Sequence, residues 1–173
     1  WRFQEKLNVK TGGKEIADHY PSMSNEELLL LPIQKIADKN SVLFLWTTYA
    51  HLEVAITCIK KWGFKYKTVA FEWFRQTLTG KPVCFMGHYT CGGAIEICLL
   101  ARKGNLKRVR NNVRRLLISQ RLKHSKKPNE IRERIVDLYG NLPRIELFAR
   151  EKTEGWDVWG NEVKSDIELT PTP

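Results

Sequence analysis

Residues 41–48 read Ser41-Val42-Leu43-Phe44-Leu45-Trp46-Thr47-Thr48, a nearly continuous apolar run of strand length. A strand that faces water on one side alternates apolar and polar residues, so a run without alternation suits a strand buried on both faces. The period changes immediately afterwards. From Tyr49 to Trp62 the apolar residues Leu52, Ala55, Ile56 and Ile59 recur at helical spacing, and Gly63 follows as a natural stop. Tyr66 to Phe74 is rich in β-branched and aromatic residues and reads as a second strand. Strand, helix and strand in that order imply an α/β fold, a mostly parallel sheet with helices on both faces.

Working outward, Ser24-Asn25-Glu26-Glu27 has the form of a capping box, and Pro32 limits the helix after it to a short one. Residues 2–18 are polar, contain Gly12-Gly13 and read as a mobile loop. Leu78 to Gly93 holds four glycines and a proline, a loop long enough to suggest function. Ala94 to Ala101 is a third strand, and Val113 to Ser119 includes a further one. Pro128 to Tyr139 is a helix ended by Gly140, and Arg144 to Arg150 (RIELFAR) is a last strand. Residues 164–173 have no pattern and read as a flexible tail. Ligands of parallel sheets sit beyond the carboxyl ends of the strands, which places the loops after Thr48, Phe74 and Arg150 on one functional edge. Neither G-x-G-x-x-G nor G-x-x-x-x-G-K-[ST] is present, so dinucleotide and P-loop readings lose their main support.

The chain has 173 residues, enough for one domain with a sizeable core, and a formal net charge of +10. Between Ile97 and Asn129, 33 residues carry eleven Lys or Arg and no Asp or Glu. Cations this dense repel one another unless a polyanion neutralises them, and nucleic acid is the commonest such partner. Arg114 and Arg115 stand in this run as candidate phosphate contacts. No apolar run is long enough to span a bilayer and no signal peptide is visible, so no membrane role is expected. Cys58, Cys84, Cys91 and Cys98 form neither a C-x-x-C pair nor a disulfide framework; Cys58 and Cys98 sit in apolar patterns as small hydrophobes. Free thiols fit a reducing intracellular setting, and no metal site is expected.

Several segments together carry a resemblance. They are His19-Tyr20-Pro21-Ser22-Met23-Ser24, Leu43-Phe44-Leu45-Trp46-Thr47-Thr48, Trp62-Gly63-Phe64, Phe71-Glu72-Trp73 and His124-Ser125-Lys126-Lys127-Pro128. Arg144 to Arg150 and Gly155-Trp156-Asp157-Val158-Trp159-Gly160-Asn161-Glu162 complete the set. In this order and spacing they resemble the MT-A70 family of S-adenosylmethionine-dependent adenine N6-methyltransferases. The resemblance implies a Rossmann-like methyltransferase fold with permuted motif order, the catalytic strand first and the cofactor-binding strand, RIELFAR, late. It implies a methyltransferase domain over residues 1–163. The family's Asp-Pro-Pro-Trp signature would end at Trp1, with Asp-Pro-Pro expected upstream.

The resemblance further implies S-adenosylmethionine as cofactor. Ser125 and Lys127 would reach its methionine carboxylate, and Glu146, Arg150, Asn161 and Glu162 its ribose and adenine surroundings. Trp1 would be catalytic, with Tyr20, Trp73 and His88 beside the substrate base. The reaction implied is methyl transfer to adenine N6 in nucleic acid, DNA favoured over RNA because HYPSMS and LFLWTT resemble the bacterial, phage and ciliate-like branch. The alternative is a non-catalytic, nucleic-acid-binding partner subunit of a heterodimeric methyltransferase, since members often pair with a related subunit. The compartment implied is the nucleus in a eukaryote and the cytoplasm in a bacterium or phage. Two positions depart from the pattern: Lys152-Thr153 stands where RNA-modifying relatives carry His-Asn, and Cys91 where bacterial-type relatives often carry Arg.

Purely structural roles stand beside these. Trp46, Trp62 and Phe71 suit the core, and Trp156 and Trp159 suit hydrophobic plugs. Trp73 suits a pocket wall or the core equally. Glu146 on a buried strand needs a partner, which Arg144, Arg150 or a ligand would supply.

Overall fold

The computed structural model describes residues 23–86, 89–121 and 126–171. Trp1, Tyr20, His88 and Ser125, and most of the His19–Ser24 motif, lie outside the described residues. Within them the elements run α1 (Asn25–Leu29), β1 (Ser41–Thr47), α2 (Leu52–Lys61), β2 (Lys65–Gln76), β3 (Ile95–Lys103), β4 (Leu116–Gln120), α3 (Glu130–Tyr139), β5 (Ile145–Leu147) and β6 (Asp157–Trp159). The capping box forms: Glu27 N–H donates to Ser24 Oγ and Ser24 N–H to Glu27 Oε2. Gly63, at φ +79°, closes α2, with Phe64 N–H reaching back to Ile59 O and Gly63 N–H to Lys60 O.

The main sheet corrects the expectation of mostly parallel strands. Its order is β1-β3-β2-β4; β3 is antiparallel to both β1 and β2, and β2–β4 is its parallel pair. The reason is the long connection over residues 77–94. It carries isolated antiparallel bridges at Gln76–Pro82 and Phe85–Gly92, and β3 then inserts between β1 and β2. These two do run in the same direction, as strand–helix–strand implied, but they are not neighbours. β5 and β6 pair in parallel as a separate two-stranded sheet.

Side chains leave β1 and β3 to two opposite cores, as the unalternating run 41–48 requires. Leu43, Leu45, Ile97, Leu99 and Ala101 meet Ala55, Cys58, Ile59 and Trp62 of the α2 layer. Phe44, Trp46, Phe71, Trp73, Cys98 and Leu117 meet Ile131, Ile135 and Leu138 of α3. The result is three layers with helices on both faces of a mixed sheet.

Two further differences concern the C-terminal part. RIELFAR is a strand only over Ile145–Leu147, because Phe148 takes φ +59°, a left-handed conformation that no strand continues through. The segment beyond 163 has no helix or strand, yet it is not a loose tail as far as residue 171. Leu169 is buried, Ile167 packs on the α2-side core, and Asp166 accepts the Val158 N–H at 2.8 Å.

Candidate active-site edge

Because β1 and β2 are co-directional and β4 follows β2, Thr47, Gln76 and Gln120 end on the side where β3 begins. Glu96, the second residue of β3, lies there opposite Trp73. Its side chain is 12% exposed and held by two cations: Arg75 Nη1 at 2.7 Å and Lys127 Nζ at 2.6 Å, one on each carboxylate oxygen. A carboxylate this covered is stable as an anion only with such partners. Lys127 Nζ also stands 5.6 Å from the centre of the Trp46 ring. Arg75 is oriented by donating Nε to Gly93 O at 2.8 Å and Nη2 to the same oxygen. The Arg75 and Arg121 guanidiniums lie 5.9 and 5.4 Å from the Phe85 ring of the connection between β2 and β3. Burial pushes the Cys98 thiol pKa up, and the nearby Lys127 charge opposes it.

A second set of ion pairs ties this edge to the β5–β6 unit. Lys126 Nζ reaches Glu151 Oε2 at 3.0 Å, and Arg132 Nη1 lies 3.7 Å from the other Glu151 oxygen. Arg132 also grips Glu146 with two nitrogens, at 2.7 and 3.1 Å. Arg150 Nε meets Glu162 Oε1 at 2.8 Å. The hydrogen bond from Lys126, with the Arg132 and Arg150 charges, holds the Glu151 carboxyl below its ordinary pKa. Ala149 N–H donates to Trp159 O at 2.9 Å, and a side chain on Gly160 would collide with the Ala149 carbonyl, so glycine lets the 149 and 160 backbones touch. Between these pairs Phe148, 47% exposed, sets its ring edge-on against Trp159.

Lys127, Glu146, Arg150 and Glu162 are thus joined through consecutive ion pairs and chain neighbours, and exposed Asn161 adjoins Glu162. The partner of Glu146 is Arg132, not Arg144 or Arg150. Trp73 takes the core role: it is 2% exposed and donates Nε1–H to Ser119 Oγ at 2.8 Å. Arg114 and Arg115 are exposed, away from this cluster, on the segment leading into β4. That segment is ordered by α3. Val109 N–H donates to Leu138 O, Arg110 pairs with Asp137, and Arg134 Nη1 donates to the carbonyls of Arg114 and Leu116.

Glu96 and Arg75 escaped the sequence reading. The available signal was a lone carboxylate inside the apolar strand Ala94 to Ala101, which demands a cation from elsewhere in the fold. Glu151 and Arg132 escaped for want of a local signal, since their partners are distant in sequence.

Comparison with known proteins bears on this arrangement. The MT-A70 family model matches residues 4–162. The chain is 37% identical over 155 residues to Type II methyltransferase M.MunI of Mycoplasma sp, covering 88% of the chain and 64% of that protein. It is 30% identical over 154 residues to N6-methyladenosine RNA methyltransferase MTA1 of Cryphonectria parasitica, covering 86% and 45%. It is 28% identical over 162 residues to the human N(6)-adenosine-methyltransferase catalytic subunit METTL3, covering 88% and 27%. The chain therefore spans less than two thirds of the length of these relatives. With that match running from residue 4 to 162, through every element that builds the edge around Glu96 and Lys127, the chain belongs to the MT-A70 family.

Proposed function

We propose that this chain is the core of an S-adenosylmethionine-dependent methyltransferase that modifies N6 of adenine in nucleic acid, DNA in preference to RNA. The observation that carries the reading is the run of ion pairs and chain neighbours that links Lys127, at the carboxyl ends of β1 and β2, to Glu146, Arg150 and Glu162. The family membership and the 37% identity to a type II methyltransferase support it.

The donor set fits the cofactor. Lys127 Nζ has three N–H donors and spends one on Glu96, leaving donors for a ligand carboxylate. Glu146 and Glu162, each paired with one guanidinium among the described residues, keep acceptor capacity for ribose hydroxyls. Phe148 offers an exposed apolar face. When bound, S-adenosylmethionine supplies an electrophilic methyl group. The protein's share is positioning: Lys127 and the Arg150–Glu162 pair would anchor the two ends of the ligand. The edge above Trp46 and Arg75 would receive an adenine extruded from its stack. The exocyclic amine is a poor nucleophile because its lone pair is delocalised, so orientation of the base beside acceptors carries the rate. The permuted motif order follows from the same reading.

The test is mass spectrometry of DNA and RNA oligonucleotides incubated with the full-length protein and methyl-labelled S-adenosylmethionine. Label on adenine N6, greater in DNA, is the expected result. Tight oligonucleotide binding without transfer would favour the non-catalytic partner of a heterodimer instead. Absence of both binding and label would overturn the reading.

A further inference from the structure

At the end of the sheet opposite Glu96, a depression of about 430 Å³ is lined by Lys65 and Lys67 of β2, Arg102 and Lys103 of β3, and Gly63, Gly104 and Asn105. Among the described residues four cations line it and no acid does. Arg102 stands directly across the ladder from Lys65, so the two charges share one face of the sheet. The Arg102 guanidinium is fixed by Nη2 donating to Asn105 Oδ1 at 2.9 Å, yet its Nε is buried and makes no hydrogen bond among the described residues. Lys103 Nζ reaches the Ala37 carbonyl at 3.4 Å, a neutral partner. Asp38, in the adjoining turn, accepts from the Asn40 backbone N–H. Like charges on adjacent strands destabilise a sheet unless something offsets them, and a buried donor without an acceptor adds to the cost. The clustered positive charge is relieved by one kind of ligand, an anion with several oxygens.

We infer that this depression binds phosphates of the nucleic-acid backbone at a fixed distance from the modified base. The inference rests on the nucleic-acid reading above and adds a second contact to it. From Glu96 to Arg102 the strand advances six residues, which at ~3.3 Å each is about 20 Å. Duplex DNA rises ~3.4 Å per phosphate along each strand, so the depression meets backbone about six base pairs from the target. The track between the two is also basic. Arg115 Nη2 lies 3.5 Å from Thr68 Oγ1 on β2, and β4 leads from Arg115 to Arg121 along the sheet edge.

The experiment compares the full-length protein with its Lys65→Ala/Lys67→Ala variant on two duplexes, one with about four and one with about twelve base pairs on each side of the target adenine. Both lysines are exposed strand residues, and thermal melting checks that the fold survives. On the long duplex the variant should bind roughly tenfold more weakly, with a salt slope shallower by about 1.8; on the short duplex the two proteins should agree. Equal behaviour on the long duplex, or equal losses on both, overturns the inference while methylation stands. Failure of the unmodified protein to bind either duplex overturns the nucleic-acid reading itself. A third arm adds millimolar inorganic phosphate against sodium chloride of equal ionic strength. Indifference supports a backbone contact. Selective loss of long-duplex binding to the variant's level supports it as well, because free phosphate lowers duplex affinity to that level only by displacing backbone from the depression.

Discussion

Lys127 Nζ lies 2.6 Å from Glu96 Oε2, joining the start of β3 to the segment ahead of α3, 31 residues later. The same carboxylate holds Arg75 from β2, so one acid joins three parts of the chain at one sheet edge. Replacing Glu96 by Gln leaves two cations facing each other without a counter-charge. A fully buried pair broken this way costs about 3–5 kcal/mol; with Lys127 30% exposed, about 2 kcal/mol is expected. Urea unfolding of Glu96→Gln measures it, and a midpoint equal to the parent's would remove Glu96 from its structural role.

Lys127→Ala separates ligand anchoring from packing. Arg75 still partners Glu96, so the fold persists. A charge-assisted hydrogen bond to a ligand carboxylate is worth about 1.5–3 kcal/mol, so S-adenosylmethionine should bind at least tenfold more weakly. Calorimetric titration reads this directly, and an unaltered dissociation constant would strip Lys127 of the assignment.

Trp73 is a core residue whose indole N–H is matched to Ser119. Trp73→Phe keeps most of the ring volume and should cost about 1–2 kcal/mol; Trp73→Ala opens a cavity and should cost about 3–5 kcal/mol. At temperatures where Trp73→Phe is folded, its KM for oligonucleotide should equal the parent's. A raised KM in that variant would return the ring to the substrate pocket.

Arg114 and Arg115 project from a loop that α3 holds by backbone bonds, so their side chains are dispensable for its shape. Arg114→Ala/Arg115→Ala should weaken nucleic-acid binding across all sequences. Its salt slope should fall by about 2, one unit per lost phosphate contact. An unaltered slope would mean that neither residue meets phosphate.

Glu151 gives the acid limb of stability a defined contribution. Lys126, Arg132 and Arg150 depress its pKa in the folded chain. The unfolded chain therefore binds its proton first as pH falls. The stabilisation is complete above the unfolded-chain pKa and is lost as pH descends through the lowered folded value. Glu151→Gln should flatten the stability profile in that acidic window. Near neutral pH the variant should be less stable than the parent, and the gap should close towards low pH. A gap independent of pH would show that Glu151 acts through packing and not charge.

Much of this architecture was readable in local pattern. The double-sided burial of β1, the cap at Ser24, the stop at Gly63 and the apolar face of α3 all follow from residue types at fixed short spacings, because local sterics and hydrogen bonding set them. The ordered motifs likewise pointed to the family. Strand direction did not follow. β3 enters between β1 and β2, and nothing in its own residues says which strands it will pair with, since pairing partners are set by loop reach and by both cores closing together. Ion-pair partners share this property: Glu96 required a cation, but only the folded chain selected Arg75 and Lys127 over the other basic residues. The depression around Arg102 is the extreme case. Its four cations come from the ends of two strands far apart in sequence, and the antiparallel ladder sets Arg102 beside Lys65, because register, unlike periodicity, is a property of two segments at once.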